Sequence, residues 1–348
     1  MMAWLRRQID GFRGSGASAA TVPPMDGALR PNTALESARI VARLAGVDCL
    51  AASDGMVWAS SGHEVSRIDP ATGAVVLVLR FDRPVTCIAA NGETLAVGQD
   101  DGSVTLMFGD GKRVIAPFAG GCLTALAFQG SGLVACTGSA DHPVGAWQRD
   151  LMQGGASGSV WEIPPEGAAR QLAGGLAWPC GVALSGGQVV VAEAWRHRLV
   201  TLDGRAVLAD LPGYPGRLAP AGDGWWLSVF APRNQLTEFV LREPEFRARM
   251  LRDLRPEHWV CPTLHPARSF LEPLQGGAIR THGIVKPWAP TRSYGLLVRL
   301  DAGFQPLASY HSRADGRFHG VTAALQIGAE VLVAAKGGDA LLALGGVA

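Results

Sequence analysis

A segment of the form x-x-[Leu/Ile/Val]-Ala recurs along this chain at a nearly constant interval, each copy followed by a glycine turn and a β-rich run. The copies are Asp48-Cys49-Leu50-Ala51, Thr86-Cys87-Ile88-Ala89, Thr124-Ala125-Leu126-Ala127, Cys180-Gly181-Val182-Ala183 and Gly216-Arg217-Leu218-Ala219. Asp48 to Thr86 and Thr86 to Thr124 are 38 positions each, and Cys180 to Gly216 is 36. That spacing fits one four-stranded propeller blade per copy. A looser sixth copy, His319-Gly320-Val321-Thr322-Ala323, completes the set. The expected fold is all-β, a six-bladed β-propeller.

Within the repeats the turns carry the signal. Ser61-Gly62, Thr72-Gly73, Asn91-Gly92 and Asp101-Gly102 separate short β-rich runs, as hairpin turns that require a left-handed backbone do. Thr124 to Cys180 is 56 positions, so blade three carries one extra loop, between Gly138 and Gly158. In blade five the pattern stops after Trp225–Phe230 and resumes at Tyr294–Leu300, which makes 231–292 an insertion, with a helix expected over Glu243–Leu254 between Pro244 and Pro256. Only three strands follow Gly320, so the last blade needs a fourth, expected from Ala38–Leu44. The domain reading is an N-terminal arm over 1–34 and a propeller over 35–348, with 138–158 and 231–292 overhanging one channel mouth.

Composition narrows the function classes. With 31 basic and 30 acidic side chains there is no broad charge footprint for nucleic acid, so no nucleic-acid partner is expected. The six cysteines include no C-x-x-C pair and read as reduced, packed thiols. No run approaches the ~20 apolar residues of a membrane span, and the N-terminus meets Arg6, Arg7 and Asp10 before any signal-like apolar stretch. A cytoplasmic location without membrane association is therefore expected.

In a propeller the innermost strands line the central channel, so the first positions of the repeats should ring one mouth. That ring reads Asp48, Thr86, Thr124, Cys180, Gly216 and His319. Its acid, thiol and imidazole make Asp48, Cys180 and His319 the candidate catalytic set, with His319 as general base and Cys180 a possible nucleophile. The competing reading is a channel whose polar residues satisfy one another and buried water. Arg217 beside the ring could clamp an anion, with Glu193 as an ion-pair partner for Arg196 and Arg198 nearby. From the loops, Trp147, Arg149, Arg233, Lys286 and Trp288 are candidates to contact a small, anionic ligand, although tryptophans such as Trp147, Trp259 and Trp288 could equally seal an insertion to its domain. Ser139 or Ser157 with Asp141 and His142 suggests a hydrolase triad, but no G-x-S-x-G elbow supports it.

The stretch LAWPCGVALSGGQVVVAEAWRHRLVTLDG (176–204), followed by LADLPGYPGRL (208–218), resembles the strictosidine-synthase-like branch of the gluconolactonase/regucalcin superfamily of six-bladed propellers. SGSVWEI at 157–163 and HGVTAAL at 319–325 extend the likeness. The resemblance implies a small-molecule enzyme, hydrolysing a lactone or ester or performing related acid/base chemistry. In metal-dependent relatives an inner-ring Glu, Asn and Asp hold a divalent cation; here those positions are Asp48, Cys180 and Gly216. Calcium, which favours six to eight oxygens, is disfavoured by that set. Zinc, on Asp48, Cys180 and His319, remains the softer possibility. The branch's plant condensing enzymes use a Glu on the last blade, and 319–324 contains no carboxylate. Two alternatives stand beside the enzyme: a non-catalytic ligand-binding or scaffold propeller that has lost the metal ligands, and a C–N bond-forming condensing enzyme.

Overall fold

A computed structural model describes residues 22–346, apart from 54, 110, 117, 119–120, 270, 274–277, 282–283 and 288–290. Six antiparallel four-stranded sheets follow one another around a central axis. Blades one and two are uninterrupted runs of four strands, Val47–Arg80 and Val85–Ile115 in outline. Blade three is split between Gly132–Thr137 and Gly158–Ile163 by a loop bearing helix α1 (Trp147–Gln153), and blade four spans Pro179–Leu208. Blade five places Gly224–Pro232 directly beside Gly295–Leu300, so the intervening chain is inserted into one sheet.

That insertion opens with helix α2 (Gln235–Arg242), which the sequence reading did not anticipate, and continues with α3 (Pro244–Asp253), within the expected helix. The signal for α2 is local: Asn234 is its N-cap, the side chain accepting from the Leu236 amide at 2.9 Å. A small hairpin pairs Ala278–Thr281 with Ile284–Pro287. No helix among the described residues is long and apolar enough to cross a membrane.

Closure is made by the two ends of the chain. Strand Arg39–Arg43 pairs with Ala340–Gly345 and becomes the outer strand of blade six. The chain before it is held too. Met25 and Leu29 pack against the core of blade five, Ser309 Oγ donates to the Ala28 carbonyl at 2.8 Å, and Asn32 bonds both Ser309 and His311 backbone groups. The described part of the expected arm is thus docked along the outer strand of blade five, Pro306–Ser312. The blades press together closely enough that a Cβ on Gly73, in left-handed conformation at φ +75°, would lie 2.3 Å from the Val41 carbonyl oxygen of blade six.

The core is aliphatic, formed of the alternating inward faces of neighbouring sheets. Three buried histidines interrupt it, His197, His311 and His319, and burial lowers the basicity of each. His311, fully buried between Tyr294 Oη and Ser309 Oγ, is lowered from 6.5 to about 4. The unfolded chain therefore binds a proton at this site near pH 6.5, which the folded chain refuses until about pH 4. Its contribution is fully present above the unfolded value and is lost as pH falls toward the folded one, by about 1–2 kcal/mol at pH 5. Urea midpoints at pH 7 and pH 5 should differ more for the native chain than for His311→Gln; equal differences would remove His311 as a source of acid sensitivity.

Candidate functional site

Strand register identifies the ring without appeal to motif. Leu50, Ile88, Leu126, Val182, Leu218 and Ala324 occupy equivalent places, each opposite the matching residue of its second strand (Ala59, Val97, Ala135, Val191, Leu227 and Val333). Two positions before them stand Asp48, Thr86, Thr124, Cys180, Gly216 and Thr322. All six lie at register shifts where the inner strand bulges. The sixth ring residue is thus Thr322, three positions beyond His319. His319 is fully buried outside the cavity lining, its Nδ1 2.8 Å from Ser293 Oγ and its Nε2 2.7 Å from the Arg313 carbonyl oxygen.

Arg217 crosses the channel. From blade five its guanidinium reaches Asp48 Oδ1 of blade one at 2.7 Å, the Thr322 carbonyl of blade six at 3.1 Å and the Thr86 carbonyl of blade two, diametrically opposite, at 2.7 Å. It lines a cavity on each side of itself and so divides the channel. On one side the walls are aliphatic, among them Leu50, Ile88, Leu126 and Val182. On the other lies a cup of about 80 Å³ with a mixed lining.

The floor of the cup is charged. Lys336 Nζ donates to Asp48 Oδ2 at 2.6 Å, so each carboxylate oxygen has its own cation. Burial by itself would raise the Asp48 carboxyl, but the charges of Arg217 and Lys336 outweigh it and hold Asp48 far below the usual carboxylate range. Burial opposes the Arg217 charge as well, and Asp48 more than restores it. Two cations meet one carboxylate, leaving a net positive floor. Lys336 is about one-third exposed and Arg217 about one-fifth, whereas Asp48 is covered. The Nε of Arg217 is buried without a hydrogen-bond partner. Lys336, in the turn after the second strand of blade six, was not singled out from the sequence.

The walls are aromatic. Trp178 and Phe230 come from blades four and five, Val144 and Trp147 from the first insertion and Leu264 from the second. Trp178 stacks on Trp195 at 5.2 Å, while Trp147 meets Phe230 edge-on at 5.6 Å. The backbone of Trp178 is left-handed at φ +56°, a conformation rare for a bulky side chain and kept only where the surroundings impose it. Stacking on Trp195 and the hydrogen bond from the Ala194 amide to its carbonyl hold it there.

Cys180 also lines the cup, but its Sγ donates to the Pro215 carbonyl at 3.1 Å and burial pushes the thiol up to about 12. It is a protonated thiol at neutral pH, not a thiolate nucleophile. Glu193 is fully buried and serves Arg196, Arg198 Nε at 2.6 Å and the Ala177 amide at 2.8 Å. Arg149 lies 5.3 Å over the Trp259 ring, and Trp259 is sealed among Met152, Met250 and Cys261. Arg233 belongs to a separate buried cluster with Glu238, Tyr214 and His197. Trp288 and the side chain of Lys286 lie outside the described residues. Ser139, Ser157 and Asp141 bond one another within a loop, and the His142 ring engages Gln153 instead of either serine.

Neither metal considered from the sequence fits these donors. Both Asp48 oxygens are engaged by cations, Cys180 keeps its proton, and a Cβ at Gly216 would lie 2.7 Å from Ser228 Oγ, so an aspartate has no ready place there. The zinc set loses His319, which is elsewhere. Among the described residues no three His, Cys, Asp or Glu side chains are grouped so as to hold an ion.

No protein-family model matches the chain, and no curated protein matches its sequence. Solved structures do resemble it. A gluconolactonase from Xanthomonas campestris superposes with a TM-score of 0.57 at 14% identity, over 90% of this chain and 91% of that one. A nidogen/laminin complex gives a TM-score of 0.43 at 15% identity, over 55% of this chain and 77% of the other. The gluconolactonase likeness, at that identity, is one of fold.

Proposed function

We propose that this propeller recognises a small organic anion at the channel mouth, with Lys336 and Arg217 supplying the positive charge that a divalent ion supplies in metal-dependent propellers of the same fold. The observation that carries this reading is the charge arrangement of the cup: two cations share a single carboxylate at the foot of an aromatic wall. A ligand carboxylate or phosphate could take up Lys336 without leaving Asp48 unpaired, because Arg217 stays bonded to it. Such charge-assisted bonds are among the stronger polar contacts in a partly dry site.

A second reading, hydrolysis of a lactone or ester, is favoured by the gluconolactonase likeness across 90% of the chain and by the resemblance of 176–218 to the strictosidine-synthase-like branch. In it the same cations would hold the carbonyl oxygen as charge develops there. Against it, the strongly acidic Asp48 is a poor base and Cys180 keeps its proton. Condensation to a C–N bond has less support, since Asp48, the cup's one carboxylate among the described residues, is held ionised.

Titration calorimetry with acetate, benzoate and inorganic phosphate tests the first reading. Lys336→Met should weaken binding by roughly ten- to a hundredfold, the value of one charge-assisted hydrogen bond. Undiminished binding in Lys336→Met would remove the assignment. Lactone and ester turnover that disappears in the same variant would favour the second reading.

A further inference from the structure

We infer that the ligand is a carboxylate with a flat, apolar body, enclosed to no more than about one ring, and not a polyhydroxylated sugar acid or sugar lactone. This rests on the anion-binding reading above and narrows it. The carrying observation is the polar inventory of the cup, whose hydroxyls and thiol already donate to backbone. Thr124 Oγ1 donates to the Pro179 carbonyl at 2.6 Å, Thr322 Oγ1 to the Asp48 carbonyl at 2.8 Å and Cys180 Sγ to the Pro215 carbonyl at 3.1 Å. Both oxygens of Asp48 are taken by Lys336 and Arg217.

A sugar acid brings several hydroxyls, each a donor in need of an acceptor. Here each oxygen of the cup's carboxylate already accepts from a cation, and the cup's hydroxyls have no proton left to give to a ligand's oxygens. Each hydroxyl buried without a partner lowers affinity by roughly 5- to 150-fold, so two or more of them offset what the carboxylate gains from Lys336. What the cup offers instead is two cations at the floor and π-faces at the sides.

Size sets the remaining limit. One water needs roughly 10–15 Å³ of cavity, so about 80 Å³ holds about five to eight water-sized groups, a carboxylate and at most one ring, with anything larger projecting through the mouth. The rings of Trp147, Trp178 and Phe230 favour a planar body over a flexible chain, because offset and edge-on contacts to a flat partner add to simple burial.

The test is titration calorimetry of the full chain with benzoate, butyrate, D-gluconate and benzamide, on the native protein, Lys336→Met and Trp147→Leu, each checked for unchanged folding by near-ultraviolet circular dichroism. Benzoate should bind at least tenfold more tightly than gluconate and than its neutral isostere benzamide. Trp147→Leu should reduce the preference for benzoate over butyrate, and Lys336→Met should weaken both. If gluconate binds as tightly as benzoate and depends on Lys336, the ligand class is wrong while anion recognition stands. A preference for benzoate over butyrate that survives Trp147→Leu would also overturn the assignment of the aromatic wall. If none of the three anions binds in a Lys336-dependent way, the anion reading fails and this inference with it.

Discussion

A chain shortened to begin after Arg43 should fail to hold the propeller together. The deletion removes the outer strand of blade six, whose Arg39, Ile40, Ala42 and Arg43 pair with Ala343, Leu342, Leu341 and Ala340. It also removes Leu35, fully buried against Trp226, Phe318 and Leu342 in the core between blades five and six. Truncating a side chain so placed costs about 2–5 kcal/mol by itself. The loss of Val41, Ala42 and the ladder hydrogen bonds comes on top of that, against a total stability of about 5–15 kcal/mol for an ordinary folded domain. One new unpaired edge would appear as well, on the third strand of blade six, and the edge of blade five that residues 25–32 now cover would be laid open. Urea unfolding followed by tryptophan fluorescence should show no cooperative transition in the deletion, and Leu35→Ala a lowered midpoint. A deletion variant that unfolds at the native midpoint would mean that closure contributes nothing.

Asp48→Asn should be the most damaging conservative substitution in the channel. The amide keeps the size and loses the charge, leaving the Arg217 guanidinium buried across the axis with only carbonyl partners and Lys336 with no counter-ion. Breaking a buried pair from one side costs about 3–5 kcal/mol, because the remaining charge is uncompensated. Lys336→Met should cost less, since Lys336 is about one-third exposed and its loss leaves Asp48 paired to Arg217. Asp48→Leu combined with Arg217→Met should be less destabilising than the two single effects added together, a coupling that a double-mutant cycle reads directly. The pH dependence has a definite sign. Because the folded-state carboxyl lies below its ordinary value of 3.8, the Asp48 contribution is complete above about pH 4 and is lost only as pH falls well below that. Acid weakening between pH 7 and 5 therefore belongs to the buried histidines and should persist in Asp48→Asn. Equal stability of Asp48→Asn and the native protein would show the Arg217 bridge to be dispensable.

Five ring positions were readable because each sits in the same local frame, two residues before an aliphatic that pairs across a hairpin. The sixth misled for a local reason. In blade six the equivalent run is Thr322-Ala323-Ala324-Leu325, which lacks the aliphatic-then-alanine order, while His319-Gly320 just upstream imitates a repeat start. The left-handed residue before the strand is the better guide: Gly46, Cys122, Trp178 and Gly320 all adopt it immediately before the first strand of a blade. Lys336 and the bridging role of Arg217 had no local signature. Lys336 meets Asp48 across 288 positions of sequence, and Arg217 meets it across 169.

By itself the sequence determined six sheets, their order, the sheet interrupted by an insertion and the strand that closes the ring, because hairpin turns and alternating burial act between residues near one another in the chain. Only the tertiary structure decided which side chains share the cup, that Arg217 crosses it, and that Asp48 is held by two cations. Those outcomes depend on the distance between charges carried by different blades, and Coulomb attraction across a narrow, partly dry channel acts through space whatever the separation along the chain.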